Sequence, residues 1–136
     1  GEAIPLYEEV LADRVRVLGD DHPHTLTSRN NLAYAYRAAG RLGEAIPLYE
    51  QVLADRVRVL GEVHPDTLTS RNNLAHAYQA AGRHHEAINL FKDTLKVCED
   101  TLSPGHPLTT TVRENLETLE REMNPAPASF PESSEE

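Results

Sequence analysis

A chain of 136 residues holds one modest domain or a short repeat array, and its 39% hydrophobic and 26% charged content is ordinary for a globular protein. Aromatic residues reach only 5%, with no Trp, which argues against a large aromatic core or ligand cage. A formal net charge of -9 argues against general binding to nucleic acid or anionic membrane, since both need clustered Lys and Arg.

The first segment, "GEAIPLYEEV" onward to Gly19, carries Ala3, Tyr7, Val10 and Leu11 on one helical side. It lacks the basic start and apolar stretch of a signal peptide. "HP" at His22 then opens a second helix, because Pro is well placed in a first turn. Leu26, Leu32, Ala33 and Tyr36 fall on one arc of that helix, and Gly40 closes it. Near Gly43 a further helix begins, with Ala45, Leu48, Tyr49, Val52, Leu53, Val57 and Leu60 on its apolar side and Gly61 at its end. Pro47 is tolerated because backbone N–H groups near a helix start lack intrahelical partners. The pattern then repeats. "HP" recurs at His64 and His106, each 42 residues after the last, and Gly1–Leu42 matches Gly43–His84 at 35 of 42 positions.

A half unit over 1–19, two units over 23–61 and 65–102, and a closing helix over 106–123 result. The closing helix keeps the register of its predecessors but puts Glu117 and Glu120 at apolar positions, as a terminal cap does. Beyond it, 125–136 reads as a disordered, acidic, Pro-containing tail. No alternating strand pattern occurs anywhere, and no apolar stretch approaches the ~20 residues that span a bilayer. The expected fold is an all-α solenoid of about six helices. Cys98 is the only cysteine, so no internal disulfide forms and a reducing cytoplasm is the expected compartment.

Arg29, Leu32, Ala33, Tyr36, Ala45 and Tyr49, and again Arg71, Leu74, Ala75, Tyr78, Ala87 and Phe91, resemble the signature positions of the tetratricopeptide repeat (TPR). Arg stands where the common form has Trp, and Ala where it has Gly. The 42-residue period, "NNLA", "RVLG" and the "HP" linker are similar to the kinesin-light-chain type found in bacterial multidomain proteins. The resemblance covers about residues 1–122. It implies a right-handed superhelix of antiparallel helix pairs, with the first helix of each pair lining a concave groove.

Within Thr27–Leu42 and Thr69–His84 only three positions differ: Tyr34 becomes His76, Arg37 becomes Gln79, and Leu42 becomes His84. The resemblance maps the groove onto Thr27, Asn30, Tyr34, Arg37, Thr69, Asn72, His76 and Gln79. Residues 30, 34 and 37 also share a helix face by spacing, away from the arc that must be buried. Two of the three changes thus fall on the expected groove, and the third at the turn between helices. Asn30 and Asn72 offer a donor and an acceptor to an extended peptide backbone, while Tyr34, Arg37, His76 and Gln79 read its side chains. Asn31, Asn73 and Asn115 are expected to bond between adjacent helices, although the two Asn columns are interchangeable on sequence alone. Arg29, Arg71 and Arg113 are expected to lie over a neighbouring helix and pair with Glu.

The function expected is a scaffold that binds an extended, acidic peptide in this groove. The alternative is self-assembly, through the apolar first segment or through docking of the tail at Phe130. No Gly-rich phosphate loop, nucleophile elbow or useful Cys/His pair points to an enzyme or a cofactor. Seven histidines lack the carboxylates or thiolates that would complete a metal site, and His22, His64 and His106 are expected to cap helices.

Overall fold

The computed structural model describes residues 3–124; the tail and Phe130 lie outside the described residues. Six helices follow one another: α1 (Ala3–Leu18), α2 (Pro23–Ala38), α3 (Leu42–Leu60), α4 (Pro65–Ala80), α5 (His84–Thr101) and α6 (Pro107–Met123). Each packs on the next in sequence, and α4 also meets α6. The even-numbered helices therefore form one layer and the odd-numbered helices the other. The protein is an all-α solenoid.

Local chemistry fixes where the helices begin and end. His22, His64 and His106 each sit in extended backbone before a Pro, and each Nδ1 accepts the N–H two residues on, at 3.0–3.1 Å. The imidazole replaces the usual Ser or Asp cap and must leave Nδ1 unprotonated to do so. At the far end of α2, Gly40 adopts φ +77°, and Arg41 N–H reaches back to the Tyr36 carbonyl at 2.8 Å. Gly82 repeats this at φ +80°, and a side chain in that region would be strained. The chain reverses there in so few residues that Leu42 and His84 already belong to α3 and α5. This corrects their expected place at the turn.

The core is assembled from the expected arcs. Leu26, Leu32, Ala33 and Tyr36 of α2 are buried, as are Ala45, Tyr49 and Val52 of α3. Ile4 and Ile46 join them, positions that the helical arcs did not single out. Leu48, Leu53, Val57 and Leu60 are half-buried at the flank of the same stripe.

Polar ties stitch each outer helix to the next inner one. Arg14 of α1 donates to Ser28 Oγ at 2.9 Å, and Arg56 of α3 donates to Ser70 Oγ at 2.8 Å. In the third unit the pair is replaced as a pair: Cys98 stands for the arginine and Val112 for the serine, both fully buried. A polar contact has become an apolar one of similar function. Ser28 and Ser70 therefore serve as structural partners. Arg29 is buried and pairs with Asp20 and Asp55 at 3.3 Å, while Arg71 pairs with Glu62 and Arg113 with Glu99. The expected Glu partner is thus Asp for the first of the three, since residue 20 and the outer helix both supply Asp.

The two ends differ in kind. Tyr7 and Val10 of α1 are 39% and 42% exposed, whereas Tyr49 and Val52, the same residues one unit later, are 2% and 0% exposed. With Leu6, Val17 and Leu18 they leave an apolar edge. At the other end Thr110, Glu117 and Glu120 replace the Leu68, Ala75 and Tyr78 of α4 and face outward or lie half-buried.

Candidate functional site

Arg37 of α2, His76 and Gln79 of α4, and Asn115, Thr118 and Glu122 of α6 line one concavity of about 380 Å³, with His84 of α5 at its edge. Two of its four walls derive from helix register alone: residues 76, 79 and 80 lie on one turn of α4, and 115, 118 and 122 are spaced three and four apart on α6, while Arg37 of α2 supplies a third. The fourth wall, His84, arrives because the glycine reversal after α4 is so short.

The electrostatics are mixed. Arg37 brings one positive charge and Glu122 one negative, and Gln79 Nε2 donates to Glu122 Oε1 at 3.4 Å. The His76 ring stands edge-on to Phe91, with centroids 5.4 Å apart. Burial, and then the nearby Arg37 charge, push the His76 imidazolium below the usual histidine range. His84 Nδ1 is buried and has no hydrogen-bond partner among the described residues. The Arg37 guanidinium lies 5.1 Å from the Tyr34 ring centre. Burial raises the Tyr49 phenol, and a hydrogen bond with Arg37 opposes that rise.

The remaining sequence-expected residues lie in other surroundings. Asn30 and Asn72 are engaged inside the layer: Asn73 Nδ2 donates to Asn30 Oδ1 at 3.4 Å, and Asn115 Nδ2 to Asn72 Oδ1 at 3.1 Å. The two Asn columns bond to each other, so each is half of an inter-repeat tie. Asn72 is buried, Asn30 half-buried, and Asn31 exposed. Tyr34 is 56% exposed and lines a separate concavity of about 340 Å³ with Ile4, Tyr7 and Ala38. Thr27 borders a small cleft of about 90 Å³ beside Arg56 and Val59, and Thr69 is exposed. The third unit departs from the pattern at the groove, with Glu114 at the Asn position and Thr118 at the Tyr/His position, and that divergence hid Glu122. The signal that finds it is positional: Thr118 is the third-unit equivalent of Tyr34 and His76, one turn before Glu122.

Among the described residues, no group of three or more His, Cys, Asp or Glu is arranged to hold a metal, and no helix is long and apolar enough to cross a membrane.

The tetratricopeptide repeat family model matches residues 1–56, 31–100 and 66–129. No curated protein sequence matches the chain. Among solved structures, a Podosopora anserina kinesin light chain of nearly identical TPR-like repeats is 37% identical, with a TM-score of 0.81 over 88% of this chain and 57% of that one. A single-substitution variant of the same protein gives 36% identity and a TM-score of 0.80, over 88% and 56%. BtubC (BKLC) from P. vanneervenii, at 20% identity and a TM-score of 0.79 over 89% and 48%, shares the fold. The chain spans about half the length of these structures.

Proposed function

Because the chain belongs to the tetratricopeptide repeat family, whose fold is typical of protein–protein interaction scaffolds, we propose that it holds an extended peptide of a partner protein across α2, α4 and α6. One observation carries this reading. Arg37, His76 and Gln79, drawn from two successive first helices, meet α6 around a single open polar concavity. An extended segment crossing three helices meets hydrogen-bonding side chains from each. Arg37 offers one anchor for an acidic residue of the partner, opposed by the Glu122 carboxylate in the same lining.

The test uses half-buried side chains of the concavity rather than the asparagines. Removing Asn30 or Asn72 breaks ties between helices, so lost binding in those variants is ambiguous. Arg37→Ala combined with Gln79→Ala gives up the long 3.4 Å bond from Gln79 to Glu122 and the bond between Arg37 and Tyr49, but leaves the asparagine ties and the apolar arcs in place. Capture of peptides from a displayed library is expected to fall by about tenfold or more, with the circular dichroism unchanged. Undiminished capture by the double variant sinks the groove reading.

A second reading, self-association, is favoured by the exposure of Tyr7 and Val10, whose counterparts are buried by packing. Mass by light scattering across a wide concentration range tests it. Tyr7→Glu with Val10→Lys is expected to leave a monomer at every concentration, and growth that persists in that variant excludes this edge.

A further inference from the structure

All three changes between the two long identical stretches meet in the same place. His76, Gln79 and His84 line one concavity, although residue 84 sits on a different helix from the other two. The first unit has Tyr34, Arg37 and Leu42 at those positions. Two imidazoles therefore line one concavity where the first unit has Tyr and Leu at the equivalent positions. Four charged or titratable groups face this space: Arg37 from α2, His76 from α4, His84 from α5 and Glu122 from α6. With both imidazoles neutral, Arg37 and Glu122 offset each other; with both protonated, the lining is doubly positive. His84 Nδ1 already lies buried without a partner among the described residues, an unmet polar atom at the edge of a polar space.

We infer that this concavity is a proton-gated subsite for a carboxylate of the bound peptide, filled when His76 and His84 become protonated. The inference rests on the peptide-groove reading and specifies what the groove anchors and when. A carboxylate placed among two imidazolium groups and Arg37 accepts charge-assisted hydrogen bonds, which are about twice as strong as neutral ones. Glu122 is the competing carboxylate, and one of its oxygens accepts a long 3.4 Å bond from Gln79 Nε2. Without ligand, burial and then Arg37 lower the proton affinity of His76. The arriving carboxylate reverses that effect, so binding takes up protons.

The experiment pans a random decapeptide library displayed on phage against the full 136-residue chain at about pH 5.8 and about pH 7.5, on either side of the histidine range. The best peptide is then synthesised with fluorescein, and its affinity is measured by anisotropy at both values. Acidic peptides are expected, binding about tenfold tighter at the lower pH, as one charge-assisted hydrogen bond predicts. The gain is expected to vanish when the peptide's Glu residues become Gln. It should also vanish in the His76→Tyr plus His84→Leu variant, which carries the first unit's own residues. Imidazole proton shifts in the unmodified chain give a reading independent of any variant's folding: both histidines are expected to titrate at higher pH with peptide bound. No peptide at either pH overturns the groove reading and this inference together. Affinity that is independent of pH, that weakens on acidification, or that keeps its pH dependence in the variant overturns the inference alone. Histidine titrations unmoved by peptide do the same.

Discussion

His76 shows how one side chain can link packing to pH. Its neutral form is favoured in the folded state by burial first and by Arg37 second, so its proton affinity there is lower than in the unfolded chain. The unfolded state then binds more protons, and stability rises with pH across that interval. The contribution is complete above the ordinary histidine value of about 6.5 and is lost as pH falls from there toward the depressed folded value. Urea midpoints of the unliganded protein are therefore expected to drop between about pH 7 and about pH 5.5, above the range where carboxylates titrate. His76→Tyr, the residue of the preceding unit, is expected to flatten that drop. An unchanged pH slope in the variant would assign the effect to another group. The site around His76 was only half legible in the sequence. The family resemblance mapped Arg37, His76 and Gln79, in agreement with helix spacing, since i+3 and i+4 neighbours share a face whatever the tertiary context. It did not find His84, since its approach depends on how tightly Gly82 reverses the chain. Nor did it separate the two Asn columns, because both lie at the layer seam and bond to one another.

Between elements, the same joint is made in two chemistries. Arg56 crosses from α3 to α4 to reach Ser70 and the Asp66 carbonyl, and burial lowers the proton affinity of its guanidinium. Cys98 and Val112 make the corresponding joint between α5 and α6. The two residues of each joint thus form one unit of substitution. Ser70→Val alone strands a partly buried guanidinium and is expected to cost about 1–2 kcal/mol. Adding Arg56→Cys, which copies the third unit, is expected to recover most of that loss. A thermodynamic cycle in urea measures the coupling, and two independent additive losses would refute it. Helix positions were legible because the 3.6-residue periodicity, the His-Pro openings and the Gly endings agree with one another. The joints were not, because a helix pattern says which face is buried and not which neighbour meets it. Ser28 and Ser70 take their task from Arg14 and Arg56, which cross from the neighbouring helix to reach them.

For the described solenoid as a whole, the two edges differ in chemistry. An α1 helix carries the same apolar residues as α3, and α3 is held between α2 and α4. A second copy's α1 would fit against α6 in the same way, were it not for Glu117 and Glu120. Burying either carboxylate without a partner is costly. On the self-association reading, Glu117 and Glu120 therefore oppose head-to-tail stacking at α6. Glu117→Ala with Glu120→Tyr, the residues of α4, is expected to release it, and the molar mass from light scattering should climb with concentration. A mass unchanged in that variant would show that the carboxylates are not what stops growth. The Cys98 joint has a further consequence, in time rather than in space. The single thiol of the chain is sealed between the last units, and burial keeps it in its protonated, unreactive form. A thiol reagent therefore reaches it only when α6 lifts from α5. The rate at which Cys98 is labelled is a clock for how often the solenoid opens from its C-terminal side, with no added probe, and a partner that spans α4 and α6 slows that clock by the fraction of time it stays bound.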